Sequence, residues 1–148
     1  MAPRVLIADA LSPAAVQIFK ERGIAADVKV GLPKEELERL IKDYDGLAIR
    51  SATKVTEKVL AAAPNLKVVG RAGIGVDNVD VKAATARGVI VMNTPHGNSI
   101  TTAEHAISMM MALARQIPAA HKSTQGGKWE KSKFLGVGLF SKTIGVVG

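Results

Sequence analysis

The sequence contains no cysteine, which excludes a disulfide framework, a thiol nucleophile and any thiolate metal site, and suits a reducing compartment. Aromatic residues make up only 3% of it, leaving little on which nucleobases could stack. No apolar run approaches the ~18 to 20 residues needed to span a membrane. The opening MAPRVLIADALS reaches Asp9 before the apolar core of a signal peptide develops. These absences lead to an expected cytoplasmic protein with no membrane partner. Positive charge, by contrast, is in excess, with 20 Lys and Arg against 13 Asp and Glu for a net +7. Its distribution is diffuse: PKEELERLIKDYDG mixes both signs, and only the stretch holding Lys122, Lys128, Lys131, Lys133 and Lys142 is one-sided. With so few aromatics, that pattern argues against nucleic acid and for a small anionic substrate.

With 47% hydrophobic residues in 148, the chain has enough apolar material for one domain and part of another. Short apolar runs alternate with helical patterns, the rhythm of βαβ units. RVLIAD reads as the first strand. Ser12 and Pro13 open a helix through Phe19, which Gly23 closes. A second strand is expected over 26–30, then a helix from Pro33 with Leu37, Leu40 and Ile41 at helical spacing, and a third strand in YDGLAIRS. Thr56 caps a helix through Ala62, Pro64 stops it, and LKVVGRAG is the fourth strand. Asp77 or Asn78 caps a helix over 79–87, Gly88 ends it, and VIVMN is a fifth strand, apolar throughout as a strand covered on both faces should be. The fold class is therefore α/β, a flavodoxin-like or Rossmann-like parallel sheet with helices on both faces.

After Pro95 the pattern changes. Thr101 and Glu104 have capping-box spacing ahead of the apolar run AISMMMALARQIP, read as one long helix. Ile107, Met110, Met111 and Ala114 share a stripe while Met109 and Leu113 lie off it, so the helix is expected to be buried on several sides, between domains or subunits. STQGGKWEKSKF reads as a polar connector, and SKTIGVVG as a sixth strand belonging to a second sheet.

In open α/β sheets ligands settle beyond the carboxyl ends of the strands, which singles out the loops after strands three, four and five. Arg50 and Arg71 leave the third and fourth strands, and each presents a guanidinium fork suited to a phosphate or carboxylate. Either arginine is open to a second reading, pairing with a nearby acid. Ser51, Thr53 and Lys54 add hydroxyl and ammonium donors. Gly73 and Gly75 let the backbone approach a ligand closely, with amides aimed at an anion and a helix start nearby. Asn93 and Ser99 are expected to fix the turn into the long helix.

The run VVGRAGIGVDNVD, followed by VIVMNTPHGNSITTAEH, resembles the substrate-domain signature of the D-2-hydroxyacid dehydrogenases. IRSATKVTEKVL is similar to the branch of that family acting on 3-phosphoglycerate. The likeness covers essentially the whole chain and keeps the order RSATK loop, RAGIGVDNVD loop, NTP, long helix, GKWE and KTIGVVG. It implies a substrate-binding domain over 1–97 and the truncated start of an NAD-binding domain over 98–148. It further implies NAD as cofactor, Ile74 at the nicotinamide side, where relatives carry a hydroxyl residue, and Gly148 as the first glycine of a G-x-G-x-x-G fingerprint.

The activity so implied is oxidation of the 2-hydroxyl of 3-phospho-D-glycerate to 3-phosphohydroxypyruvate, for serine synthesis. The family's Arg, Glu and His come from its second half and are not in this sequence. No catalytic residue is assigned here, and the chain alone is expected to be inactive and to bind NAD weakly or not at all. His96, His105 and His121 do not substitute; of the three, only His96 is placed where it could meet a ligand. A homodimer or homotetramer through the long helix and connector arm is also implied.

Three alternatives stand beside this reading. One is a sibling dehydrogenase acting on glycerate, glyoxylate or lactate, and another an NAD-sensing corepressor of the same fold. The third, a phospho-accepting receiver, lacks an aspartate at the end of the third strand, where the sequence is AIRSA.

Overall fold

The computed structural model describes residues 2–147. The chain divides into two compact units, Met1–Asn98 and Ser99–Gly148. The first unit contains β1 (Arg4–Ile7), α1 (Pro13–Glu21), β2 (Ala25–Val28), α2 (Lys34–Leu40), β3 (Gly46–Ile49), α3 (Glu57–Ala61), β4 (Val68–Arg71), α4 (Val81–Ala86) and β5 (Ile90–Met92). All strand pairs are parallel and the order is β2-β1-β3-β4-β5. This is the flavodoxin-like order. The step from β1 to β2 runs one way across the sheet and the later steps run the other. Right-handed crossovers therefore put α1 on one face and α2, α3 and α4 on the opposite face.

The core lies under the three-helix face. Leu6, Ala8, Leu47, Ile49 and Val69 project from the strands into a cluster with Leu37 and Ile41 and with Val59 and Leu60 of α3. The alternation follows from the strand period of two, since Val5 and Ile7 are buried but lie outside that cluster. Burying a Leu or Ile side chain stabilises by about 1.5–3 kcal/mol, so this layer is the main source of stability in the unit. Ser12 caps α1 by accepting from the Ala14 amide at 3.3 Å. Gly23 and Gly88 end α1 and α4 with φ of +68° and +70°, a conformation that would strain any other residue.

Several expectations are corrected in this unit. β2 is shorter than 26–30 would require. The helix after the glycine loop begins at Val81 with Asp80 as its cap, bonded to the Ala83 amide at 2.9 Å, and not at Asp77 or Asn78. β5 is not covered on both faces: Val91 packs against the core, but Ile90 and Met92 are exposed.

The second unit contains α5 (Ser99–Ala114) and α6 (Ile117–Gln125), followed by a 3-10 turn over Lys131–Phe134. The apolar run is thus two helices. Gln116 takes a left-handed conformation, φ 52°, and Pro118 stands in the first turn of α6, where its missing N–H costs nothing. α6 also absorbs the beginning of the expected connector. α5 starts at Ser99, so Thr101 lies in its first turn and is not the cap. Within this chain α5 has no buried residue, and Ile107, Met109, Met111 and Leu113 are all exposed. Residues 142–147 form no strand. A strand is held by backbone pairing with a neighbour, and this segment finds none among the described residues. No helix among those residues is long and apolar enough to cross a membrane.

Candidate functional site

β3 and β4 lie side by side with Ile49 opposite Arg71, so the loops after them leave the same carboxyl edge of the sheet. Asn78 joins the two loops. Its side-chain amide donates to the Arg50 carbonyl at 2.7 Å and to the Thr53 carbonyl at 2.6 Å. The Val55 amide donates to the Asn78 carbonyl at 2.8 Å and the Asp80 amide to the Val55 carbonyl at 2.9 Å, closing a parallel bridge between Val55 and Val79. RSATK and AGIGVD thus form one continuous surface.

The first loop is held from beneath by Asp9, at the end of β1 and only 4% exposed. Its carboxylate accepts from the Arg50 amide at 2.6 Å, the Thr53 amide at 3.2 Å and the Thr53 hydroxyl at 2.6 Å. Burial acts to raise the pKa of Asp9, but the Thr53 hydroxyl and the amides of Arg50, Thr53 and Ala52 outweigh it and hold the group below the usual carboxylate range. The Thr53 hydroxyl is therefore turned inward. Arg50, Ser51 and Lys54 are exposed. Arg50 makes one long contact, from Nη1 to the Ala10 carbonyl at 3.5 Å, and neither Arg50 nor Lys54 has an ion pair among the described residues.

In the second loop Arg71 pairs with Asp77 at 2.6 Å, the alternative reading for this arginine. The Arg71 side chain is 11% exposed and that of Asp77 84%, so a mostly buried guanidinium is tied to a surface carboxylate. The Arg71 hydrogen bond holds Asp77 below its ordinary pKa. Arg71 Nε is buried without a hydrogen-bond partner among the described residues. Gly75 makes room for this pair: a Cβ there would sit 2.9 Å from Asp77 Oδ1 and 3.2 Å from Arg71 Nη1. Its need for glycine is space beside the ion pair, since its φ is not among the positive ones.

At the tip of this loop two carbonyls are tied down and two amides are left open. Gly73 O accepts from the Thr94 amide at 2.9 Å, and Ile74 O from Asn93 Nδ2 at 2.7 Å. The amides of Ile74 and Gly75 have no internal partner among the described residues. Asn93 fixes this loop, a more specific task than the turn expected of it. Ile74 presents an apolar side chain, 44% exposed. α4 begins too far along the chain to bring a helix start to the glycines.

His96, His105 and His121 are all exposed, and Gly148 lies outside the described residues. Sequence reasoning missed two residues, Asp9 and Asn78. The available signal for Asp9 was an acid ending an otherwise apolar strand, where a buried carboxylate must find donors.

Comparison with known proteins agrees with this layout. Residues 5–141 match the family described as D-isomer specific 2-hydroxyacid dehydrogenase, catalytic domain. The chain is 50% identical over 145 residues to the D-3-phosphoglycerate dehydrogenase of Archaeoglobus fulgidus, covering 98% of this chain and 28% of that protein. To the human protein of the same name it is 52% identical, covering 98% and 27%. The chain thus spans only about a quarter of the length of these relatives. Among solved structures, the TT0316 protein of Thermus thermophilus superposes with a TM-score of 0.81 at 31% identity, over 92% of this chain and 45% of that one. The NAD+-bound 3-phosphoglycerate dehydrogenase of Entamoeba histolytica gives 0.70 at 29% identity, over 78% and 40%. With a match over nearly its whole length and a strand-end site built from the motif residues, the chain belongs to the D-isomer specific 2-hydroxyacid dehydrogenase family.

Proposed function

We propose that this chain supplies the substrate-binding part of an NAD-dependent dehydrogenase that oxidises 3-phospho-D-glycerate to 3-phosphohydroxypyruvate. The observation that carries the reading is the open pair of amides at Ile74 and Gly75, beside carbonyls already committed to Thr94 and Asn93. Two consecutive free amides next to occupied carbonyls are suited to an anion, here the substrate carboxylate. Arg50, Ser51 and Lys54, exposed on the adjoining loop, take the phosphate, with the guanidinium providing the fork and the ammonium a point charge. Arg71, held by Asp77, and Gly73, where an added Cβ would come to 3.6 Å from Arg71 Nε, keep the glycine loop in shape. Orientation and affinity are this chain's contribution. Of the described residues, Ile74 fits NAD, its exposed apolar side chain suiting the face of the nicotinamide ring. NAD, when bound, accepts the hydride from the substrate's hydroxyl-bearing carbon.

The names and identities of the Archaeoglobus and human relatives support this choice of substrate. By the same reading the protein works in serine synthesis in the cytoplasm. It assembles as a homodimer or homotetramer through α5 and the arm carrying Trp129, whose exposed Ile107, Met109, Met111 and Leu113 are the surfaces that assembly would cover.

The test is steady-state kinetics on the whole protein. Arg50→Ala should raise the KM for 3-phosphoglycerate tenfold or more, about 1.4 kcal/mol at least, and should change the KM for unphosphorylated D-glycerate far less. Equal effects on both substrates, or none, would refute the phosphate assignment.

A further inference from the structure

Two loops meet at this site, and their backbone donors are used in opposite ways. In the glycine loop the Ile74 and Gly75 amides are open. In the Arg50–Thr53 turn the amides of Arg50 and Thr53 converge instead on a carboxylate that the protein itself provides, Asp9, at 2.6 and 3.2 Å. The Thr53 hydroxyl completes the set at 2.6 Å. A turn with convergent amides is a natural anion nest, and here the nest is filled from within, by a group 4% exposed and more than forty residues away in sequence. Above this plug the turn is held a second time, by Asn78 on the carbonyls of the same two residues, Arg50 and Thr53. The amides and carbonyls of Arg50 and Thr53 are therefore all engaged by Asp9 or Asn78, while the side chains of Arg50 and Ser51 remain exposed.

We propose that Asp9 is a positioning residue for substrate binding, its buried carboxylate occupying the Arg50 and Thr53 amides of the Arg50–Thr53 turn so that the substrate anion is met there by the side chains the turn presents. This rests on the assignment of Arg50 to the substrate phosphate. Its physical content is twofold. An occupied nest fixes the direction in which Arg50 leaves the backbone, so less side-chain freedom is lost on binding. It also withdraws the Arg50 and Thr53 amides from the ligand, so that loss of the plug disturbs substrate affinity and leaves the cofactor untouched.

Thr53, a candidate ligand in the sequence, becomes part of the support. A hydroxyl at position 53 is needed by Asp9, and its methyl group is not. Arg50, which no ion pair restrains among the described residues, depends on the turn for its placement.

The experiment measures KM for 3-phosphoglycerate, KM for NAD, kcat and thermal midpoint on the whole protein, for Asp9→Asn, Thr53→Val, Thr53→Ser and Arg50→Ala. Asn at position 9 keeps the shape and can still accept from the two amides through Oδ1, but it removes the charge and replaces the acceptor for the Thr53 hydroxyl by a donor. It should raise the substrate KM severalfold or more with the NAD KM unchanged. Thr53→Val should raise it severalfold, and Thr53→Ser should restore the wild-type value. A folded Asp9→Asn enzyme with wild-type substrate KM overturns the proposal, as does a parallel rise in both KM values, which marks a merely structural loss. If Asp9→Asn does not fold, the Thr53 pair decides: equal KM values for Val and Ser overturn the proposal. Arg50→Ala separates the two levels. If it leaves the KM unchanged, the site assignment and the proposal fall together; if it raises the KM while Asp9→Asn does not, only the positioning role is lost.

Discussion

Replacing Asn78 by aspartate changes almost nothing in shape and removes the side-chain donor that helps tie the two site loops together. The Asn78 amide nitrogen donates to two carbonyls, at 2.7 and 2.6 Å. A neutral hydrogen bond contributes about 0.5–1.5 kcal/mol net, so Asn78→Ala should cost about 1–3 kcal/mol. The isosteric aspartate should do worse at neutral pH, because an ionised carboxylate then faces two carbonyl oxygens with no proton to offer. Protonation restores one donor, so the folded-state pKa of the new acid is raised above its unfolded value of about 3.9. The folded state then binds more protons than the unfolded one. Stability relative to Asn78→Ala is therefore highest below about pH 3.9 and is lost as pH rises through the folded pKa. Thermal melts followed by circular dichroism between pH 4 and 7 read this directly, each kcal/mol shifting the midpoint by roughly 4–8 °C for a unit of this size. An Asn78→Asp protein that melts with the wild type at pH 7, or one whose deficit is independent of pH, would refute the reasoning.

Two other outcomes follow from the same geometry. Gly46→Ala places a methyl group 3.0 Å from Val5 Cγ2 and 3.4 Å from Val68 Cγ1 in the central strand β3. It should lower stability by about 1–3 kcal/mol, seen as a lower denaturant midpoint with an unchanged slope. Asp9 has a folded-state pKa depressed below its ordinary 3.8, so its contribution is present above the unfolded value and is lost as pH falls through the folded one. Wild-type stability should therefore fall below about pH 4, and Asp9→Asn, already weaker at pH 7, should show a flatter acid limb in denaturant titrations.

The sheet was legible because its information is local. The apolar runs around Leu6, Leu47 and Val69, with Gly23 and Gly88 as helix stops, identify strands and helices from neighbours in sequence alone. The start of α4 was not, because Asp77, Asn78 and Asp80 are all able to cap a helix. What separates them is tertiary: Asp77 is taken by Arg71 and Asn78 by the Arg50–Thr53 turn, leaving Asp80 to cap. Asp9 was missed for the same reason, since its partners lie more than forty residues away and no periodicity records them. The run at 142–147 reads as a strand by composition, but strand formation depends on a partner edge that composition does not encode. Arg50 and Arg71 illustrate the limit of motif reasoning. Both end a strand, yet one is exposed without an ion pair and the other is sequestered by a carboxylate.

The central claim is that the open amides at Ile74 and Gly75, together with the exposed side chains of the Arg50–Lys54 loop, receive the substrate anion. An amide-resolved 15N–1H titration of this chain with 3-phosphoglycerate tests it most directly. The account predicts progressive shifts at Ile74, Gly75, Ser51 and Lys54, with the α5 amides unmoved. Shifts confined to the lysine-rich segment from Lys122 to Lys133, with Ile74 and Gly75 silent, would contradict it.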